Sequence, residues 1–233
     1  MKSKKTKLLV VLPAFNEEKV IEGVLKSLKK ELKNLKLTSE IVVIDDASVD
    51  KTAKKAQKEG VAVLKHVINR GLGGALQTGL EYGRKKKVDV VVTMDSDGQH
   101  DSKDIEKIIG PIMKKKADVV IGSRFLEVKN KIPVLRRIIL KLSDLVTFLF
   151  FGIYPTDSQS GFRAFSRKAI NKIKLRTQQM EVSSEFFDQI RKNKLKFCEV
   201  PIRVIYTPYS LAKGQSNLNG IKVLVKLVLR LGR

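Results

Sequence analysis

From residue 8 to residue 121 the chain alternates short β-branched runs with longer segments whose apolar residues recur at helical spacing, and few folds accept that rhythm. Leu8–Leu12 and Glu40–Ile44 read as short buried strands. Between them, Glu17–Leu37 sets Val20, Ile21, Val24, Leu25, Leu28, Leu32 and Leu35 on one helical face, completing a βαβ unit. Helices are expected over Asp50–Glu59 (with Ser48 or Asp50 as its cap), Gly74–Lys86 and Ser102–Lys115, and strands over Val61–His66, Asp89–Met94 and Asp118–Ile121. Such alternation predicts an α/β fold, a mostly parallel central sheet with helices on both faces. The 233 residues, 42% hydrophobic, suffice for one domain of this kind.

After Arg124 the rhythm breaks. Phe125–Lys131 reads as a polar loop, Ile132–Ile153 as a long apolar and basic helix, and Tyr154–Arg163 as a loop rich in Ser, Gly, Pro and Asp. Val182–Lys192 is helical, Lys196–Ile205 strand-like, Tyr206–Asn219 a loop and Ile221–Leu231 a last helix. That last segment spaces Lys222, Lys226 and Arg230 four apart, a cationic stripe among apolar residues suited to a lipid headgroup layer. Ile132–Ile153 would be its C-terminal amphipathic partner; alternatively both pack on the domain and show solvent only their charged edges. Neither reads as a membrane span. Val134–Ile153 carries Arg136, Arg137, Lys141 and Asp144, and no run reaches 18 apolar residues. The chain thus falls into a regularly alternating half (1–124), an irregular half (125–220) and a basic amphipathic helix (221–233).

Charge narrows the partners. Lys and Arg number 47 against 24 Asp and Glu, net +23, so the surface attracts polyanions: nucleic acid, anionic lipid or phosphorylated substrates. Aromatics are only 6% with no Trp, which argues against a base-stacking platform, and nucleic acid is not expected as a partner. A plain lysine-rich solvated surface is the other reading. The lone Cys198 excludes an internal disulfide and fits a reducing compartment. The apolar run Leu8–Leu12, closed by Pro13, is too short for a signal peptide.

The segment Val90–Asp101 carries the chemistry. A β-branched run stops in Asp95-Ser96-Asp97, followed by Gly98, Gln99 and His100, so two carboxylates sit at the carboxyl edge of a sheet, where open α/β folds bind ligands. Mg2+ or Mn2+ held by one or two carboxylates leaves positions for phosphate oxygens. A calcium loop starting at Asp95 would place Glu106 correctly but put His100 where the turn demands glycine. A dinucleotide fold is excluded by the first turn, Pro13-Ala14-Phe15-Asn16-Glu17-Glu18, which has no glycine. Asn69-Arg70-Gly71-Leu72-Gly73-Gly74 lacks a P-loop ending and reads as a tight turn before a helix.

Taken in order, Val11–Glu17, Ile44–Thr52, Asn69–Gly71 and Met94–His100 resemble the motifs of inverting family 2 glycosyltransferases. Gly122–Arg124, Asp157–Arg163 and Lys213–Ser216 resemble those of the dolichol-phosphate mannose synthase branch. The resemblance spans nearly the whole chain and implies a single nucleotide-sugar-binding domain of the glycosyltransferase A type. It implies that Pro13, Phe15, Glu17 and Asp46 line the nucleoside pocket, Asp46 accepting from base or ribose; a loop cap is the alternative for Asp45 and Asp46. Asp95 would contact ribose or metal, Asp97 the ion across the donor diphosphate, and Gln99 would complete the metal shell. Arg124 and one of Arg136 or Arg137 would hold phosphate oxygens, for which guanidinium forks are suited. Ser160 and Lys213 would face the acceptor phosphate.

The expected activity is metal-dependent transfer, with inversion, of a hexose from GDP-mannose or UDP-glucose to a polyprenyl or dolichyl monophosphate. The metal and cationic groups would stabilise the leaving nucleoside diphosphate. Catalytic roles fall to Asp97, Arg124 and Glu185, the last as a base, a holder of a donor hydroxyl, or merely a surface carboxylate. His66 and His100 are read as structural. Transfer to a glycan or protein hydroxyl is the second enzymatic reading, and a basic nucleic-acid-binding protein the non-enzymatic one. A lipid acceptor implies contact with a membrane surface, peripherally and on its cytoplasmic face. Members of the family often carry C-terminal membrane segments.

Overall fold

A computed structural model describes residues 5–127, 130, 132–178, 181–205 and 209. Seven strands form one sheet in the order β3-β2-β1-β4-β6-β5-β7. They are β1 (Lys7–Ala14), β2 (Thr38–Asp45), β3 (Ala62–Lys65), β4 (Val90–Thr93), β5 (Val119–Ser123), β6 (Arg163–Ser166) and β7 (Phe197–Pro201). All pairings are parallel except those of β6, which runs antiparallel to both β4 and β5. The helices are α1 (Ile21–Asn34), α2 (Thr52–Lys58), α3 (Gly71–Lys85), α4 (Ile105–Met113), α5 (Val134–Phe151), α6 (Arg167–Lys172) and α7 (Val182–Lys192).

Strand side chains alternate between two cores. Leu8, Val10 and Leu12 of β1 meet Ile21, Leu25 and Leu28 of α1 and Ile105, Ile108 and Ile109 of α4 on one face. Leu9 and Val11 meet Leu76 and Leu80 of α3 and Phe186 and Phe187 of α7 on the other. A strand buried on both faces has to be apolar throughout, which is why β1 reads Leu-Leu-Val-Val-Leu without alternation. From β1 the chain steps outward to β2 and β3, then returns through α3 to lay β4 on the other flank of β1. The crevice at the carboxyl ends of β1 and β4 is therefore the topological switch point of the sheet.

Sequence pattern and structure part company in three places. The first helix starts at Ile21 rather than Glu17, because Asn16 takes a left-handed conformation (φ 54°) and residues 16–18 are bonded to another loop. The third starts at Gly71, whose φ of 74° suits glycine, ahead of the expected Gly74. Strand β6 and helix α6 fall where the pattern assigns nothing: β6 has four residues and opens with an arginine, so it gives no apolar run. The expected loop Tyr206–Asn219 (Tyr209 excepted) and the helix Ile221–Leu231 lie outside the described residues. Among the described residues no helix is long and apolar enough to cross a membrane.

Candidate active site

The turn after β1 and the turn after β2 are locked together. Asn16 N–H donates to Ser48 Oγ at 2.9 Å, Glu17 N–H to Thr52 Oγ1 at 2.7 Å and Glu18 N–H to Asp50 Oδ2 at 3.1 Å. In return Val49 N–H donates to the Asn16 side chain and Lys51 N–H to Glu18. Asp50 also takes the N–H of Thr52, the first residue of α2, so it caps that turn while Ser48 turns to Asn16. These bonds present Pro13, Phe15 and Glu17 along one wall of a cavity of about 280 Å³ at the switch point. Tyr209 reaches the same wall, its hydroxyl donating to Glu17 Oε2 at 2.9 Å.

Asp95, Asp97 and Gln99 line the cavity beyond β4. Ser96 between them ties the turn to β1 by donating to the Pro13 carbonyl at 2.7 Å. Asp97 accepts from the Gln99 N–H at 2.9 Å and from the Gln99 amide group at 2.7 Å. Asp95 Oδ2 lies 3.0 Å from His100 Nε2, and His100 in turn rests against the buried ring of Phe162. Gly161 backs onto Asp95: a Cβ there would overlap the carboxylate. Burial opposes ionisation of Asp95, but the His100 contact and the charges of Arg124 and Arg163 outweigh it and hold its carboxyl below the usual range. Burial, and then the charge of Asp95, push Asp97 the other way. The two neighbouring carboxyls are thus shifted in opposite directions. Among the described residues no group of three or more His, Cys, Asp or Glu converges. Asp95 and Asp97 are thus the two carboxylates at the carboxyl end of β4 that line the cavity.

The opposite wall is cationic, formed by Arg124 after β5, Arg136 of α5 and Arg163 of β6. Arg124 forms a bidentate pair with the fully buried Asp157, with two contacts of 2.6 Å. Arg163 is buried beneath the site, donating to the Ser158 and Ser160 carbonyls and lying 4.5 Å from the Phe186 ring centre. Desolvation lowers its pKa to about 10, so it remains a cation at neutral pH, near Asp95.

The structure therefore gathers Pro13, Phe15, Glu17, Asp95, Asp97, Gln99, Arg124 and Arg136 into one pocket. It separates the others. Asp46 is turned away: its carboxylate takes the N–H groups of Arg70 and Gly71 at 2.8 and 2.7 Å and the His66 ring at 2.7 Å, clasping the turn that opens α3. These bonds are those of a loop cap, and Asp46 does not line this cavity. Asp45, by contrast, is fully buried at the end of β2 with neither oxygen hydrogen-bonded. Glu185 lies away from the pocket, its carboxylate holding the N–H groups of Arg176 and Thr177 at 2.8 and 2.9 Å. From the first turn of α7 it thus holds the backbone that leads into that helix. Arg137 is exposed, so the choice between the two arginines falls to Arg136. Ser160 is buried, its hydroxyl accepting from Phe162 N–H, and it lies outside the cavity lining. Lys213 lies outside the described residues. Arg163, Gly161 and Tyr209 were missed as site residues. Gly161 and Arg163 stand beside Ser160 in Asp157–Arg163, where neither spacing nor charge pattern marks them, and Tyr209 falls in a stretch of sequence without periodicity.

The fold and the site together define a glycosyltransferase of the A-type fold. The chain belongs to glycosyl transferase family 2, whose sequence model matches residues 9–174. It is 47% identical to an uncharacterised protein of Methanocaldococcus jannaschii, over 97% of this chain and 93% of that one. It is 36% identical to the UDP-N-acetylglucosamine–dolichyl-phosphate N-acetylglucosaminyltransferase of Methanococcus voltae, over 97% of each chain. Among solved structures it resembles glucosyl-3-phosphoglycerate synthase of Mycobacterium tuberculosis in complex with Mn2+, UDP and phosphoglyceric acid. The TM-score is 0.71 at 20% identity, over 98% of this chain and 79% of that one.

Proposed function

We propose that the protein transfers a sugar, with inversion, from a nucleotide-sugar donor to a polyprenyl or dolichyl monophosphate. The observation that carries the reading is one cavity lined both by the carboxylate pair Asp95 and Asp97 and by two arginines, Arg124 and Arg136. A donor diphosphate needs the first and an acceptor phosphate the second. The lipid acceptor named for the full-length M. voltae relative supports the same pairing.

In this scheme Pro13, Phe15 and Glu17 hold the nucleoside, and Asp95 and Asp97 hold Mg2+ or Mn2+, Gln99 orienting Asp97. That ion, when bound, neutralises charge on the leaving diphosphate. An oxygen of the acceptor phosphate attacks the anomeric carbon as the bond to the donor diphosphate breaks, and a single displacement inverts the centre. A phosphate monoanion or dianion is already nucleophilic, so the absence of Glu185 from the cavity costs nothing. Transfer to a hydroxyl would require a base there. Arg124 and Arg136 align the acceptor phosphate, and the buried cation Arg163 keeps Asp95 ionised.

The exposed face of α5 supports peripheral membrane contact. Leu135, Ile138, Leu142, Leu145 and Leu149 face outward, while Arg136 and Leu140 of the same helix line the cavity. A lipid-borne phosphate would reach the arginines without leaving the interface. Placement on the cytoplasmic face is part of the same reading.

The test is a donor panel of UDP-N-acetylglucosamine, UDP-glucose and GDP-mannose with a short polyprenyl phosphate, in Mg2+, Mn2+ or EDTA. Metal-dependent formation of a glycosyl-phosphoryl lipid is expected with one donor. No transfer from any donor, together with no metal-dependent nucleotide binding, would sink the proposal.

A further inference from the structure

The turn 156–158 connects the arginine wall to the rest of the molecule, and it is held in an unusual way. Its three successive backbone N–H groups all end on carboxylates. Glu199 of β7 accepts from Thr156 N–H at 3.0 and 2.9 Å and from Asp157 N–H at 3.2 Å. Asp144 of α5 accepts from Ser158 N–H at 2.7 Å. Lys141, one turn earlier on α5, bonds Asp144 at 3.2 Å and the Thr156 carbonyl at 2.8 Å. Asp144 is 1% exposed, and burial pushes the carboxyls of both Asp144 and Glu199 up. Neutral acceptors or water would satisfy these N–H groups without the desolvation cost of two acids. Charge-assisted bonds are shorter and more directional than neutral ones. Between the two lies Asp157, whose own carboxylate grips Arg124 on three nitrogens: the backbone N–H at 3.0 Å, Nε at 2.6 Å and Nη2 at 2.6 Å.

We infer that Asp144 and Glu199 are positioning residues for Arg124, fixing the plane of its guanidinium through the backbone of Thr156–Ser158 and the side chain of Asp157. Neither lines the cavity. The inference rests on the acceptor-phosphate role of Arg124 for its effect on turnover, but not for its effect on the guanidinium. It gives α5 two tasks on one helix: Arg136 within the cavity and Asp144 behind the turn that aims the second arginine.

The test uses Glu199→Gln, Asp144→Asn, Arg124→Lys and the double variant Arg124→Lys/Glu199→Gln. The Arg124 Nε–H, bonded to a buried carboxylate, gives a solvent-protected side-chain 15N signal, assigned by its loss in Arg124→Lys. Its hydrogen exchange is expected to quicken at least about tenfold in both carboxylate variants while they still unfold cooperatively. Catalytic efficiency toward the acceptor should fall on the order of tenfold to a hundredfold, with nucleotide affinity within about twofold of the parent. The double variant should be no slower than Arg124→Lys alone, since lysine cannot form the bidentate pair. Unchanged Nε–H exchange in both carboxylate variants overturns the inference, as do additive losses in the double variant. Should the parent transfer no sugar, the proposed function fails while the exchange measurement still decides the positioning.

Discussion

At the scale of single residues, one glycine governs Asp95, a carboxylate of the proposed metal pair. Gly161 leaves room for Asp95 where any Cβ would overlap it, so the adjoining antiparallel strand can pass directly behind the site. Gly161→Ala forces Asp95 to another rotamer while disturbing no core contact. Mn2+-dependent nucleotide binding, measured by calorimetry, is expected to weaken at least about tenfold, or ~1.4 kcal/mol. Unaltered affinity would show that Asp95 is not needed in its present orientation. The same scale shows how far residue types alone can be read. Asp95 and Asp97 announced themselves because a buried strand ended on both. Asp45 and Asp46 are adjacent and chemically identical, and only the arrival of His66, Arg70 and Gly71 from later in the chain decides which is saturated. No local pattern contains that information.

At the scale of elements, Asp118 joins three strands. It precedes β5 and accepts from Lys168 Nζ at 2.9 Å, from Lys196 N–H ahead of β7 at 2.9 Å and from Ser166 at the end of β6 at 3.3 Å. Burial works against its ionisation, but these bonds and the Lys168 charge prevail, and its pKa falls below the usual carboxylate value. A lowered folded-state pKa means that the unfolded chain takes up the proton first. Stability from Asp118 is therefore present above about pH 4 and is lost as pH drops through the folded pKa. Asp118→Asn should cost about 1–2 kcal/mol at pH 7 and progressively less below about pH 4. Urea unfolding at both ends of that range checks it; a pH-independent difference would contradict the assignment. Elements with a long apolar stripe, such as α1 and α5, were legible from spacing alone. Strand β6 was not, because its place in the sheet is set by partners on both sides and not by its four residues.

At the scale of the whole molecule, a net charge of +23 becomes meaningful only through its placement. The outward apolar residues of α5 are interleaved with Arg137 and Lys141, the composition that the proposed contact with an anionic membrane surface requires. Replacing Ile138 and Leu142 together by Asp should reduce sedimentation with anionic vesicles several-fold and leave metal-dependent nucleotide binding intact. Binding by the parent should weaken as ionic strength rises, because the charge contribution is screened. Vesicle binding unaffected by the double substitution would remove α5 from the interface.

The position of β6 also dictates the order in which the protein can be built. Strand β5 is made early yet pairs with neither β1 nor β4; its neighbours are β6 and β7, synthesised some forty and seventy-five residues later. A nascent chain ending near residue 124 therefore holds β4 with one bare edge and β5 with no strand to join. The first five strands therefore cannot complete their sheet ahead of residues 163–201, and Asp95 gains its backing from Gly161 and Arg163 only when β6 is laid between β4 and β5.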